Sequence, residues 1–331
     1  MELMKTTKSQ SRYREIDIIK GITIIWVVLM HLELNPPIPD AAAQMGIFFL
    51  FSGFFFNPIN TKALIIKKYN SLIIPLLWFW LISWCVALFK FDVPRYISEQ
   101  HIDLSHTFGL LTNYSYLRVN ILWFLMALFT THILYNYLFY HIKCYKKELV
   151  IILIAIILYL SGSLLTGLKQ HEPFHTIYEN PWFPIGPFLV YQIYFVIGWY
   201  FKKYFLSNFK YWPWLISFIV YSIIFRWIPI PYLLKIVPYT IMLTALLLGI
   251  FRSNKISELF SIFEFFGINS IIVYVTHMLI IYSPFCQNII SSNGPVFGRW
   301  LVFAIIVLIE VPIIILINKY APFLIGKKKI A

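Results

Sequence analysis

The chain has 331 residues, of which 60% are hydrophobic and 12% charged, and its mean hydropathy is +0.76. Soluble domains carry about 25% charged residues, so this composition excludes a soluble enzyme and indicates a polytopic membrane protein. A formal net charge of +13 does not call for nucleic acid, because the excess Lys and Arg of a membrane protein gather in its cytoplasmic loops.

Residues 1–15 are polar and basic, and the first apolar run follows at 18–32. Asp17 and Lys20 stand at its start, and the small residues Ala41, Ala42 and Ala43 come too late for a signal-peptidase site. The run therefore reads as an uncleaved first membrane helix. Further apolar runs cover 44–56, 71–89, 121–140, 149–165, 186–201, 212–227, 236–251, 265–282 and 300–317. The predicted fold is all-α: one integral-membrane domain over 1–331 with about ten transmembrane helices. Its N-terminal segment (1–15) and basic tail (318–331) are both expected in the cytoplasm. With that alternation the inner segments hold 20 of the 27 Lys and Arg residues, as the positive-inside rule requires.

Three cysteines, Cys85, Cys144 and Cys286, form no CxxC and imply neither a disulfide framework nor a zinc ribbon. No metal site is expected. His171-Glu172-Pro173-Phe174-His175 matches H-E-x-x-H in letters only. Zincin chemistry needs both histidines on one helical face, and Pro173 disrupts that turn.

The polar residues of the first run carry the strongest signal. Lys20 and His31 are eleven residues apart, which at 100° per residue returns to within roughly 20° of the same face, about 16 Å along the axis. One face thus presents a cation near one membrane surface and an imidazole near the other. Histidine suits proton transfer near neutral pH, and ionisable groups inside a membrane helix mark function. Arg14, Asp17 and Lys20 are spaced to form a network at the cytoplasmic side. In the second run, Ser52-Gly53 interrupts an aromatic stretch: Gly permits close approach and Ser hydrogen-bonds across helices. Lys67 and Lys68 precede the third run as a candidate phosphate grip. Trp123 opens the fourth run, His277 lies in the ninth and Glu310 in the tenth.

Taken in order, RYREIDIIKGITIIWVVLMH (from Arg12), GIFFLFSGFFF, the Lys67-Lys68 pair before SLIIPLLWF, LWFLMALF and VYVTHMLII resemble the membrane-bound acyltransferase-3 family, especially its branch related to fucose 4-O-acetylase. The resemblance runs from Arg14 to about Ile317 and is most specific in the first two segments. It implies a ten-helix bundle in the inner, cytoplasmic membrane. Such a bundle moves an acyl group, usually acetyl from cytosolic acetyl-CoA, onto a hydroxyl of a surface polysaccharide or its lipid-linked precursor. Its partners are then membrane lipid, the acyl-CoA donor and the saccharide acceptor, with no permanently bound cofactor. The family signature of a basic residue, ten residues and a histidine falls on Lys20 and His31, where arginine is common at the first position. The basic residues that the family spaces three apart before the third helix become Lys68 and Ser71 here. The implied assignment makes His31 and Asp17 catalytic. It puts Lys20, Arg14, Lys67 and Lys68 at the donor, and Ser52, Gly53, Trp123 and His277 along the channel or acceptor site. A multi-helix exporter of a glycan or lipid-linked sugar is the alternative.

Overall fold

A computed structural model describes residues 13–34, 42–89, 122–168, 182–204, 211–224 and 231–327. Among these residues the chain is all helical. The elements are α1 (Arg14–His31), α2 (Ala42–Phe54), α3 (Thr61–Lys68), α4 (Ile74–Ala87), α5 (Trp123–His141), α6 (Lys147–Leu168) and α7 (Ile185–Tyr204). Then follow α8 (Tyr211–Ile224), α9 (Tyr232–Phe251), α10 (Asn254–Leu259), α11 (Ser261–Ile268), α12 (Ser270–Ile281), α13 (Pro284–Asn293) and α14 (Pro295–Tyr320). The H-E-x-x-H stretch and the basic residues of 1–12 lie outside the described residues.

Four helical segments are long and apolar enough to cross a membrane: Thr61–Ala87, Lys147–Leu168, Leu234–Phe251 and Pro295–Tyr320. A fifth is formed if α11 and α12 count as one span bent by 84°. The protein is therefore a multi-pass membrane protein. The first span joins α3 to α4 through a π turn at Tyr69–Ile73. Pro75 follows that turn and has no N–H to return to the Ser71 carbonyl, so the ladder widens there.

Residues 265–282, expected as one helix, form two. Asn269 ends α11 by donating its side-chain amide to the Phe265 carbonyl at 2.8 Å, and its oxygen accepts from the Asn318 amide of α14 at 2.8 Å. The break lets α11 lie along the first half of α1 while α12 runs beside the second half. Contact between α1 and α11 is backbone on backbone. A Cβ on Gly21 would fall 1.8 Å from the Phe263 carbonyl oxygen, and one on Gly267 would fall 1.7 Å from that of Asp17. Gly53 and Gly198 play the same part between α2 and α7, each facing a carbonyl oxygen at 1.9 Å, of Phe195 and Leu50 respectively.

Buried polar side chains cross-link the helices. Tyr135 donates its hydroxyl to Gln192, whose amide donates to the Ala155 and Leu189 carbonyls at 2.9 and 3.1 Å, joining α5, α6 and α7. Asn136 on α5 clasps the chain leaving α2. It accepts from the Ile59 N–H at 3.0 Å and donates to the Ile59 carbonyl at 2.9 Å. Its amide does what a neighbouring strand would do for an irregular segment beside a bundle. Asn136→Leu leaves both Ile59 groups unpaired, at about 1–3 kcal/mol each. It is expected to lower the thermal midpoint of the detergent-solubilised protein, read by intrinsic fluorescence, by several degrees. An unchanged midpoint would show that water replaces the amide at no cost.

Candidate functional site

The end of α1 sets the position of His31. Leu34 N–H donates to the Leu29 carbonyl and Glu33 N–H to the Met30 carbonyl, both at 3.0 Å, with Glu33 at φ 55°. This is a Schellman closure built on a non-glycine residue, and it fixes His31 as the last helical residue. Left-handed φ is unfavourable for Glu, and the Glu33 carboxylate is held in place by an ion pair with Arg299 at the start of α14.

Behind His31 stands His277 of α12. Their ring centroids are 5.2 Å apart; His31 is exposed and His277 completely buried. His277 Nδ1 donates to the Val273 carbonyl at 2.8 Å, so in the neutral ring Nε2 carries the lone pair. That Nε2 is buried and has no hydrogen-bond partner among the described residues. The next residue back, Thr276, donates to Glu310 of α14 at 2.7 Å, and the other Glu310 oxygen is likewise buried and unpartnered among the described residues.

A cavity of about 270 Å³ lies alongside. Lys20 and Ile24 of α1, Ser52 of α2, Lys68 of α3, Phe124 of α5 and Tyr274 of α12 line it. Tyr274 connects it to the histidines, with its ring centroid 6.3 Å from that of His277. Ile24 lies seven residues below His31 and Tyr274 three below His277, about 10 Å and about 5 Å of helix, so the cavity ends below the imidazole pair. The site is thus a slot with two ammonium groups in its lining and two imidazoles beyond the end that Tyr274 marks.

The remaining expected residues divide. Asp17 is buried and contacts Lys20 at 3.4 Å; fourteen residues of helix, about 21 Å, separate it from His31, so the two expected catalytic groups do not meet. Arg14 turns to Glu264 of α11 at 2.8 Å and braces α1 instead of lining the cavity. The lysine pair splits: Lys68 lines the slot and Lys67 is exposed. Of Ser52-Gly53, Ser52 faces the cavity and Gly53 packs on α7. Trp123 stacks on Tyr191, with centroids 5.4 Å apart, and its neighbour Phe124 faces the slot and Tyr274.

Two residues escape a reading of the sequence. Tyr274 looks like one more aromatic in an apolar run. His132 of α5 lies in LFTTHILY and is 1% exposed; an ionisable group amid such a run was its available signal. His132 Nδ1 donates to the Leu128 carbonyl at 2.9 Å, which leaves Nε2 to accept from the Ser52 hydroxyl at 3.1 Å.

The sequence model of the acyltransferase-3 family, described as an acyltransferase domain, matches residues 13–319. No curated protein and no solved structure matches the chain. The family match spans α1 to the end of α14, and with it the slot and both histidines, so the chain belongs to the acyltransferase-3 family of membrane acyltransferases.

Proposed function

We propose that this protein is an inner-membrane O-acyltransferase that moves acetyl from cytosolic acetyl-CoA to a hydroxyl of a surface polysaccharide or its lipid-linked precursor. The observation that carries the reading is the slot itself, with Lys20 and Lys68 in its lining and the His31–His277 pair about 16 Å along α1 from Lys20. CoA is anionic at its nucleotide end and neutral along its arm. Two ammonium groups suit the phosphates, and an apolar channel suits the arm. Asp17 holds the Lys20 ammonium toward that end.

At the other end, His31 takes the proton of the acceptor hydroxyl as its oxygen attacks the thioester carbonyl. The carbon–sulfur bond breaks, and the departing thiolate receives the proton from the imidazolium. The new ester leaves with the saccharide. His277, with Nδ1 committed to Val273, presents a lone pair beside His31 that supports the imidazolium as it forms. Apolar walls limit loss of the acyl group to water. The 20 to 7 split of basic residues supports ten spans with both termini cytoplasmic, which puts Lys20 at the inner surface and His31 toward the outer one.

The test incubates the purified protein with radiolabelled acetyl-CoA and envelope polysaccharide and follows alkali-labile label on the saccharide. Transfer is expected, and Lys20→Ala should raise the KM for acetyl-CoA about tenfold, the worth of one contact to a charged group. Label that stays on CoA while a lipid-linked sugar crosses the bilayer would establish an exporter instead.

A further inference from the structure

The hydrogen-bonded pair Ser52–His132 has no part in the chemistry above, yet it is built into the wall of the slot. Ser52 is half-buried and faces the cavity; His132 is 1% exposed behind it. Asn136, one turn on from His132, clasps the chain just beyond α2, so one face of α5 holds both the serine's partner and the segment that follows the serine. The His132 ring is fixed by Leu128 with Nε2 as the acceptor. Ser52 must then give its only proton to the histidine, and its lone pairs are directed to whatever fills the slot. A hydroxyl already donating is a stronger acceptor. The wall therefore asks for an N–H donor in the cavity that Lys20 and Ile24 also line, short of the histidine pair.

We propose that Ser52, positioned by His132, accepts a hydrogen bond from the distal amide N–H of a pantetheine arm, and so restricts the donor to acyl-pantetheine thioesters. This rests on the acyl-CoA reading and deepens it. The lengths agree. In pantetheine, seven bonds separate the sulfur from the distal amide nitrogen, about 8 Å in an extended chain, and six more reach the phosphorus at about 16 Å. A thioester at His31 then puts the phosphate at Lys20, about 16 Å along α1, and the distal amide about half-way between them, towards the cavity that Ser52 lines. An acyl phosphate or a lipid ester offers no N–H at that depth. His132 touches no donor atom itself; it orients the serine and withdraws its proton.

The experiment uses the full-length protein in lipid nanodiscs and displaces radiolabelled acetyl-CoA with two competitors. One is pantetheine; the other is its analogue with the distal amide replaced by an ester, which loses that one N–H. The wild-type protein should bind the amide about tenfold more tightly than the ester. In Ser52→Ala the two should bind equally, at the affinity of the ester, and His132→Leu should lower the amide-to-ester ratio toward one. Tight acetyl-CoA binding with equal displacement by both competitors in the wild type would overturn the proposal and leave the donor reading standing. Failure of the wild type to bind acetyl-CoA would overturn both. The wild-type ratio needs no variant, so misfolding of a mutant cannot disguise the answer.

Discussion

His31→Ala is expected to abolish most acyl transfer, a fall of about 10² to 10⁴-fold in kcat, while the protein still inserts and folds. Folding should survive because the ring is exposed at the last helical position and, among the described residues, makes no hydrogen bond that the backbone depends on. The Schellman closure uses main-chain groups of Leu29, Met30, Glu33 and Leu34, which the substitution leaves in place. Catalysis should fail because, among the described residues, no other imidazole at the site reaches solvent: His277 and His132 are completely or almost completely buried. O-acetyl groups on the envelope polysaccharide, counted by NMR at matched expression, give the readout, and an unchanged spectrum would remove His31 from the mechanism. His277→Ala should cost a similar factor, and the double variant little more than the worse single. Groups that handle one proton as a unit are not additive. Additive losses would mean that the two rings act independently despite the 5.2 Å between them.

What the sequence could and could not disclose follows from range. The spacing of Lys20 and His31 is a property of one helix, so periodicity alone put both on one face. The partners of those residues come from α3, α5 and α12, and no local pattern pairs residues 80 or 250 positions apart. Hence Ser52 was visible and His132 was not, although each is half of one hydrogen bond. Charge was the poorer guide: Arg14 and Lys67 resemble Lys20 and Lys68 in type and setting, but Glu264 captures the one and solvent the other. The bend at Asn269 leaves no mark on the hydropathy, because apolarity continues across it. Helix continuity there is decided by two side-chain amides, one of them from α14, and not by hydropathy.

That bend leads to the second large effect. Gly21→Ala adds one methyl group and is expected both to destabilise the protein and to disable it. The new Cβ would stand 1.8 Å from the Phe263 carbonyl oxygen, a backbone atom that cannot swing aside, so α1 and α11 must part by more than 1 Å to restore ordinary contact. Overpacking of this kind costs roughly 1–3 kcal/mol. The greater consequence is for the slot, because α1 carries Lys20, Ile24 and His31 as one rigid rod. A shift of that size in a catalytic group can cost about 100-fold in rate. Gly167→Ala supplies the control: it lies in α6 with nothing among the described residues within 4 Å of its added Cβ, and alanine there should hold or raise stability by about 0.5–1 kcal/mol. Thermal midpoints and label transfer measured on both variants separate the possibilities. A Gly21→Ala protein that melts and turns over like the wild type would show that α1 is not held by its crossing with α11. The alignment of the lysine end with the histidine end would then need another cause. If only Gly21→Ala fails, the bend at Asn269 acquires a purpose: it releases α11 from the line of α12, so that one helix can clamp the lower half of α1 while the other presents His277 to its tip.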